Sequence, residues 1–336
     1  MKESMGIMQD SALSLFRTPV ETSPSLHPIQ PHEGCVLLGS CFAQEMGHRM
    51  SEYGMDVLCN PLGTLYNPAS IALLVRHALC PDEEPLPVLE RDEQWYCWLA
   101  GTQVTGSSEE ELRQMVRQKL EELREALLQA SRLIVTLGTN VCYRLVVDGS
   151  VVANCHKMPA RLFQEDALTL QQCTDTLKEM TDRLLAANPH LNVTFTISPY
   201  RYAKYGMHQS TLTKATLQLA VQEVLTTQEQ ADYFPAYEIL TDELRDYRFY
   251  ADDMLHPSCV AVDYIWLRFC QSHLSAQARQ YIQEYEPIRK GLVHRPSNPD
   301  SDRHRAFTAS LTAKATALRE KYGMKTPTTD HATWMP

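Results

Sequence analysis

No stretch of this 336-residue sequence approaches the roughly 20 consecutive apolar residues that a membrane span needs. The opening residues, Met1 to Arg17, carry Glu3 and Asp10 and lack the unbroken apolar centre of a secretory leader. Cysteine occurs ten times but never as Cys-x-x-Cys, and its scattered positions argue against a zinc cluster and a compact disulfide framework. These absences lead to the expectation of a reduced, cytoplasmic protein. Positive charge is also short: 31 Lys and Arg face 41 Asp and Glu, for a net charge of -10. Neither nucleic acid nor an anionic membrane surface is therefore an expected partner. Gly-x-Gly-x-x-Gly and the Walker loop are both missing, which removes dinucleotide and P-loop readings. Gly-x-Ser-x-Gly is missing too, so the nucleophile elbow of the α/β-hydrolases is disfavoured. There is no internal repeat and no low-complexity segment.

What remains is an ordinary globular composition, 44% hydrophobic and 21% charged, enough for one large core or two small ones. Residues 1–33 read as an extended lead-in, because Pro19, Pro24, Pro28 and Pro31 sit among Ser, Thr and His. Five strand candidates follow: the run ending at Leu38, then Val57–Cys59, Leu133–Leu137, Leu191–Ile197 and Tyr233–Leu240. The last is expected at an edge, since Pro235 has no N–H to donate to a ladder. Helical patterns separate most of them. Asn67 and Pro68 start one, Ser107 and Ser108 with their downstream Glu residues start another through about Ala130, and two more cover about 166–187 and 210–225. Asp148-Gly149 signals a type I′ hairpin between Tyr143–Val147 and Val151–Ala153. This alternation implies an α/β fold, a three-layer α/β/α sandwich with a mainly parallel five-stranded sheet. The domain spans about 34–290 with an insertion near 80–106, and residues 291–336 form a polar linker and helical tail, polar until Ala306. Within the insertion, Trp95, Tyr96 and Trp98 are read as covering a sheet face rather than lining a pocket.

Two stretches carry chemistry. In Val36-Leu37-Leu38-Gly39-Ser40-Cys41-Phe42-Ala43, an apolar run meets a Gly-Ser step and a helix begins at once. Ser40 then lies at the carboxyl end of a strand, where open α/β sheets collect ligands, and at the positive end of a helix. Such a serine suits either an N-cap or a nucleophile. Far downstream, Asp253 and His256 are spaced so that a carboxylate accepts from one imidazole nitrogen and leaves the other free as a base. Pro257 is expected to open the next helix. The loop Asn154-Cys155-His156-Lys157 is expected over the same sheet edge, with His156 in substrate contact or a structural hydrogen bond rather than in a Cys-His dyad. Lys157 and Arg248 are candidates to meet an anionic group on a substrate, or to pair with carboxylates.

Gly39-Ser40-Cys41-Phe42-Ala43 spells the name of the GSCFA family, and Asn154–Lys157, Phe234–Glu238 and Asp242–Tyr250 resemble that family as well. The family is in turn similar to SGNH/GDSL hydrolases, whose flavodoxin-like sheet carries four active-site blocks. That resemblance implies Ser40 as nucleophile, with its amide, the Gly63 amide and the Asn140 side chain as oxyanion donors, and Asp253 with His256 as the acid–base pair. Gly39 stands where the GDSL pattern has Asp, and Gly138-Thr139-Asn140 lacks the fuller pattern's final Asp. The expected activity is hydrolysis of an O-acyl ester, such as an acetylated carbohydrate, without metal or organic cofactor. An O-acyltransferase using the same site, and a non-catalytic module binding a carbohydrate or acyl ligand, are the alternatives. The sequence leaves the oligomeric state open.

Overall fold

The computed structural model describes residues 17–81, 83–293 and 301–324. The leader reading of Met1 to Arg17 lies almost wholly outside them, as do residues 294–300 of the linker and the last twelve of the tail. The chain enters strand β1 (Cys35–Gly39), helix α1 (Cys41–Glu52), strand β2 (Val57–Cys59) and helix α2 (Pro68–Leu79). After a small antiparallel sheet of residues 88–91, 94–97 and 105–106 come α3 (Glu109–Gln129) and β3 (Arg132–Leu137). A second small antiparallel sheet joins Val141–Leu145 to Val151–Val152 and Phe163–Ala167. Then follow α4 (Leu170–Ala187), β4 (Asn192–Ile197), α5 (Gly206–Leu225), β5 (Ala231–Phe234), α6 (Cys259–His273), α7 (Ala276–Val293) and α8 (Asp302–Lys321).

The central sheet runs β5-β4-β3-β1-β2, with every neighbouring pair parallel. In chain order this is 2-1-3-4-5, the flavodoxin-like arrangement, and it reverses direction between β1 and β3. Strand residues alternate between two cores, as a sheet buried on both faces requires. Val36, Leu38, Leu133, Val135, Val193 and Phe195 pack with α2 to α5. Cys35, Leu37 and Ile134 pack with α1 and α6. The result is the expected three-layer sandwich.

Local chemistry explains where elements begin. Asn67 accepts from Ser70 N at 2.8 Å with Pro68 behind it, and Ser108 accepts from Glu111 N while Glu111 reaches back to Ser107 N. Several expectations need adjusting. Helix α4 begins at Leu170 rather than 166, because Thr169 and Gln172 complete a reciprocal capping box and Phe163–Ala167 pairs as a strand. The fifth strand stops at Phe234, and Pro235 passes the chain into a helical turn and a π-helical stretch, Ile239–Leu244. Around Asp148-Gly149 the turn is wider than a two-residue hairpin: Leu145 N bonds Ser150 O, leaving Val146 and Val147 exposed. Helix α8 starts at Asp302 because Ser301 caps it. Trp98 packs on His156 and Phe163 and also borders a groove shared with Val88, Leu145 and Val152. Among the described residues, no helix is long and apolar enough to cross a membrane.

Two contacts hold opposite ends of the sheet. At the amino end, the Arg132 guanidinium is buried, bonding Thr194 Oγ1 at 3.0 Å, Asp232 Oδ2 at 3.2 Å, Ser25 Oγ at 3.2 Å and the His27 carbonyl. It ties three strands and the lead-in together. At the carboxyl end, Gly39 has φ +135°, and a Cβ there would stand 2.2 Å from the Thr136 carbonyl oxygen. Only glycine allows β1 to approach β3 so closely where the chain turns into Ser40.

Replacing Arg132 by Met is expected to cost about 3–5 kcal/mol in denaturant unfolding, because Asp232 loses its buried partner. Gly39→Ala is expected to cost at least about 2 kcal/mol from backbone strain and overpacking. Limited proteolysis should distinguish the two: Arg132→Met exposes the segment around residues 18–31, whereas Gly39→Ala does not.

Candidate active site

Ser40 lies just past β1 and is 2% exposed. Its own N–H donates to Thr136 O at 3.1 Å, extending the β1–β3 ladder by one residue. Its Oγ accepts from Phe42 N at a long 3.3 Å and so caps α1. The N-cap role and a position at the positive end of a helix thus coexist in one residue. Neighbouring loops converge on this point. Asn60 Oδ1 accepts from Gly39 N at 2.9 Å, Leu65 N donates to Gly39 O at 2.9 Å, and Gly138 N and Thr139 N both donate to Tyr66 O at 2.8 and 2.9 Å.

Asp253 and His256 come from the loop before α6. Asp253 Oδ1 accepts from Leu255 N and His256 N, both at 2.9 Å, which folds the turn. Its Oδ2 lies 2.5 Å from His256 Nδ1. The imidazole hydrogen bond, helped by the two backbone donors, holds the Asp253 carboxyl down at about 2. With Nδ1 donating to the carboxylate, Nε2 is left as the acceptor nitrogen. The ring lies against Tyr200, centroids 4.1 Å apart, and Arg201 N bonds Leu255 O at 3.1 Å, anchoring the turn to the loop after β4. Pro257 does not open the helix: it pairs with Tyr250 as a bridge, and Ser258 caps α6.

Ser40 and His256 line one cleft of about 420 Å³ between the loops that follow β1, β3 and β4. No hydrogen bond joins Ser40 Oγ to His256. Asn154 and Cys155 line the same cleft, as do Tyr66, Tyr143, Tyr200, Tyr202 and Tyr205. At its mouth Glu165 accepts from Tyr143 and Lys204, the latter at 2.5 Å, and from Tyr205. Beneath it, Lys214 of α5 is buried and donates to Gly138 O and Ser198 O, each at 2.8 Å, stapling the ends of β3 and β4. Burial, followed by the nearby charge of Arg201, pushes that ammonium down to about 7. A larger groove of about 710 Å³ lies between α2, α4 and the 141–152 hairpin. Neither Ser40 nor His256 reaches it, and its arginines Arg76, Arg144 and Arg183 are paired with carboxylates.

The other expected site residues fall elsewhere. Gly63 N donates to Asn60 O at 2.8 Å inside a turn, and Gly63 packs against Gly101 and Gln103. Asn140 is buried, its Nδ2 bonding Leu168 O at 2.8 Å and its Oδ1 accepting from Thr213 Oγ1 at 3.0 Å. Together with the Ser40 amide, all three expected oxyanion donors are therefore engaged in holding the fold. His156 is fully buried, with Nε2 2.9 Å from Cys97 O, and burial lowers its pKa; it is structural and takes no part in the cleft. Lys157 is exposed outside the cleft. Arg248 is also exposed, lying over Phe249 and 3.8 Å from Asp246. The tyrosines are what sequence reasoning missed. Their signal was the run Tyr200-x-Tyr202-x-x-Tyr205 directly after Ser198-Pro199 at a strand end. Among the described residues, no group of three His, Cys, Asp or Glu is placed to hold a metal, and all ten cysteines are unpaired.

Comparison with known proteins adds the following. No curated protein matches the sequence. A family 3 carbohydrate esterase from Clostridium thermocellum is similar in structure with a TM-score of 0.36 and 10% identity, over 78% of this chain and 100% of that one. Another, from Talaromyces cellulolyticus, gives 0.34 and 8% over 76% and 99% of the two chains. An acetyl xylan esterase from the rumen bacterium Butyrivibrio proteoclasticus gives 0.35 and 9% over 73% and 65%. In sequence, the model of the GSCFA family matches residues 35–269, and that of the GSCFA C-terminal domain matches residues 285–324. Every strand of the central sheet falls within the first of these matches, and the chain belongs to the GSCFA family.

Proposed function

We propose that the protein is a serine hydrolase acting on O-acyl esters. The observation that carries this reading is the 2.5 Å contact of Asp253 with His256, whose imidazole faces the same cleft as Ser40. Asp253 holds the tautomer in which Nε2 accepts a proton. As Ser40 Oγ attacks the ester carbonyl, Nε2 takes the hydroxyl proton, then passes it to the departing alcohol oxygen when the tetrahedral adduct collapses. Water, deprotonated by the same nitrogen, releases the acyl group and restores Ser40. The resting Phe42 N–H contact to Ser40 Oγ is long, so the serine can leave its cap role at little cost.

The cleft favours a neutral ester of modest size. Its mainly apolar lining, with five tyrosines and a few polar groups such as Asn67 and Asn154, suits a carbohydrate carrying a small acyl group, since sugar C–H faces stack on aromatic rings while hydroxyls meet phenol and amide groups. Transfer of the acyl group to an alcohol instead of water would use the same residues. One observation favours a second reading, a binding module for such ligands: Ser40 Oγ is bonded to Phe42 N and not to His256. Catalytic hydrogen bonds often tighten only when substrate arrives, so the hydrolase reading ranks first.

Labelling with a fluorophosphonate, with mass spectrometry of the adduct, is expected to modify Ser40 and to fail in Ser40→Ala and His256→Ala. A folded native chain that stays unlabelled and cleaves no acetyl ester would favour the binding module. Asp253→Asn is expected to slow labelling by about 10²–10⁴-fold through loss of the correct tautomer, with the chain still folded and its thermal midpoint lowered only slightly, since the amide oxygen can still accept from Leu255 N and His256 N. The pH dependence has a definite sign. Because the folded carboxyl sits at about 2, below its ordinary 3.8, the stability it lends is complete above about pH 4 and is lost as pH falls through 2. Any fall in labelling between pH 7 and 5 should therefore occur without change in thermal midpoint from Asp253, and stopped-flow labelling alongside calorimetry checks both.

A further inference from the structure

If the serine hydrolase reading holds, the attacking serine needs a donor for the developing oxyanion, and the expected ones are badly placed for it: Ser40 N is held by Thr136 O and Gly63 N by Asn60 O, while Asn140, with one Nδ2 hydrogen on Leu168 O, is not among the residues that line the cleft. We infer that Asn67 supplies the oxyanion donor that Asn140 does not. Asn67 is 7% exposed and lines the same cleft as Ser40 and His256. Its Oδ1 is fixed by the Ser70 N–H at 2.8 Å, which sets the plane of the amide. Its Nδ2 has no hydrogen-bond partner among the described residues. Asparagine is an ordinary helix cap, but unlike a serine or aspartate in that place it also leaves an amide nitrogen, with two N–H donors, to the cleft that Ser40 lines.

The surroundings support the assignment. Tyr66, the preceding residue, receives the N–H groups of Gly138 and Thr139, and Leu65 N bonds Gly39 O, so the segment 65–67 is pinned between the ends of β1 and β3. This is the point at which the sheet order reverses and at which Ser40 stands. Asn67 is thereby held on a rigid element, as an oxyanion donor must be if it is to cost no reorganisation during reaction. Asn140, by contrast, uses both ends of its amide to join Leu168 to Thr213, one connecting the small sheet to α4 and the other lying on α5.

The test compares Asn67→Asp and Asn67→Ser with Asn140→Ala in the full chain. Both Asn67 variants keep an oxygen for Ser70 N and so keep the cap, while losing the amide donor. Each is expected to reduce the rate of fluorophosphonate labelling of Ser40, and kcat for an acetyl ester, by about 10²–10³-fold with KM within a few-fold and the thermal midpoint preserved. Asn140→Ala is expected to lower the midpoint, and its loss of rate per folded molecule should be at least about tenfold smaller than that of Asn67→Asp. Native-like rates in both Asn67 variants, or a larger loss in Asn140→Ala at equal folded fraction, would overturn the inference while leaving the hydrolase reading intact. A native chain that forms no Ser40 adduct overturns both.

Discussion

The close approach of Gly39 to the Thr136 carbonyl is the constraint on which the rest of the site depends. A parallel sheet separates its strands by about 4.8 Å, and a side chain at this last rung would force β1 away from β3. Without one, the ladder continues through Ser40 N and the serine is delivered at the point where the crossover direction changes. The loop after β2 is hung beside that rung: Asn60 accepts from the Gly39 amide, Leu65 donates to its carbonyl, and Tyr66 accepts from the two amides that follow β3. The geometry of the site is thus a consequence of backbone packing before any side chain performs chemistry.

The polar groups around this point divide by burial. Lys214 and Asn140 are buried and hydrogen-bond to carbonyls or to Thr213, as buried polar groups generally do, and buried His156 uses Nε2 on the Cys97 carbonyl while its Nδ1 has no partner among the described residues. Asp253 and His256 are roughly half exposed. Their contact owes its geometry to a tight turn with Met254 at φ +59°, and to Tyr200 against the ring. A base that must collect and release protons benefits from such access, whereas the staples beneath it benefit from being sealed.

Away from the cleft, the same economy of charge organises the scaffold. Arg132 collects the lead-in at the amino end of the sheet, and Glu243, also buried, receives Arg268 and Tyr264 from α6 and Val20 N from the lead-in. Helix α8 adds a small third core with Tyr281, Tyr285 and Ile288 of α7 around Leu311, and Arg319 bonds the Gly54 carbonyl just beyond α1. Among the described residues that the C-terminal domain model matches, Arg319 thus meets the chain beyond the carboxyl end of α1, whereas Ser40 caps its amino end.

Sequence by itself determined the layer order, the parallel sheet and the placement of Ser40, because these follow from local signals: apolar runs without alternation, helix caps, and a glycine where a turn is tight. It also determined the Asp253–His256 pair, since three residues in one turn bring a carboxylate to an imidazole without help from the remainder of the chain. The early start assigned to α4 missed the pairing of Phe163–Ala167 with Val141–Leu145, a partner in another part of the chain, and the long fifth strand missed the helical turn that follows Pro235. Only the tertiary structure decided which amides are free. Asn140 and Gly63 follow strands as an oxyanion donor should, yet both bond elsewhere, to Leu168 and Asn60, and neither lines the cleft, while Asn67, legible only as a helix cap, lines it with a nitrogen that has no partner among the described residues. A backbone N–H gives one hydrogen bond and a side-chain amide nitrogen two, and which acceptors take them depends on neighbours that no local pattern records.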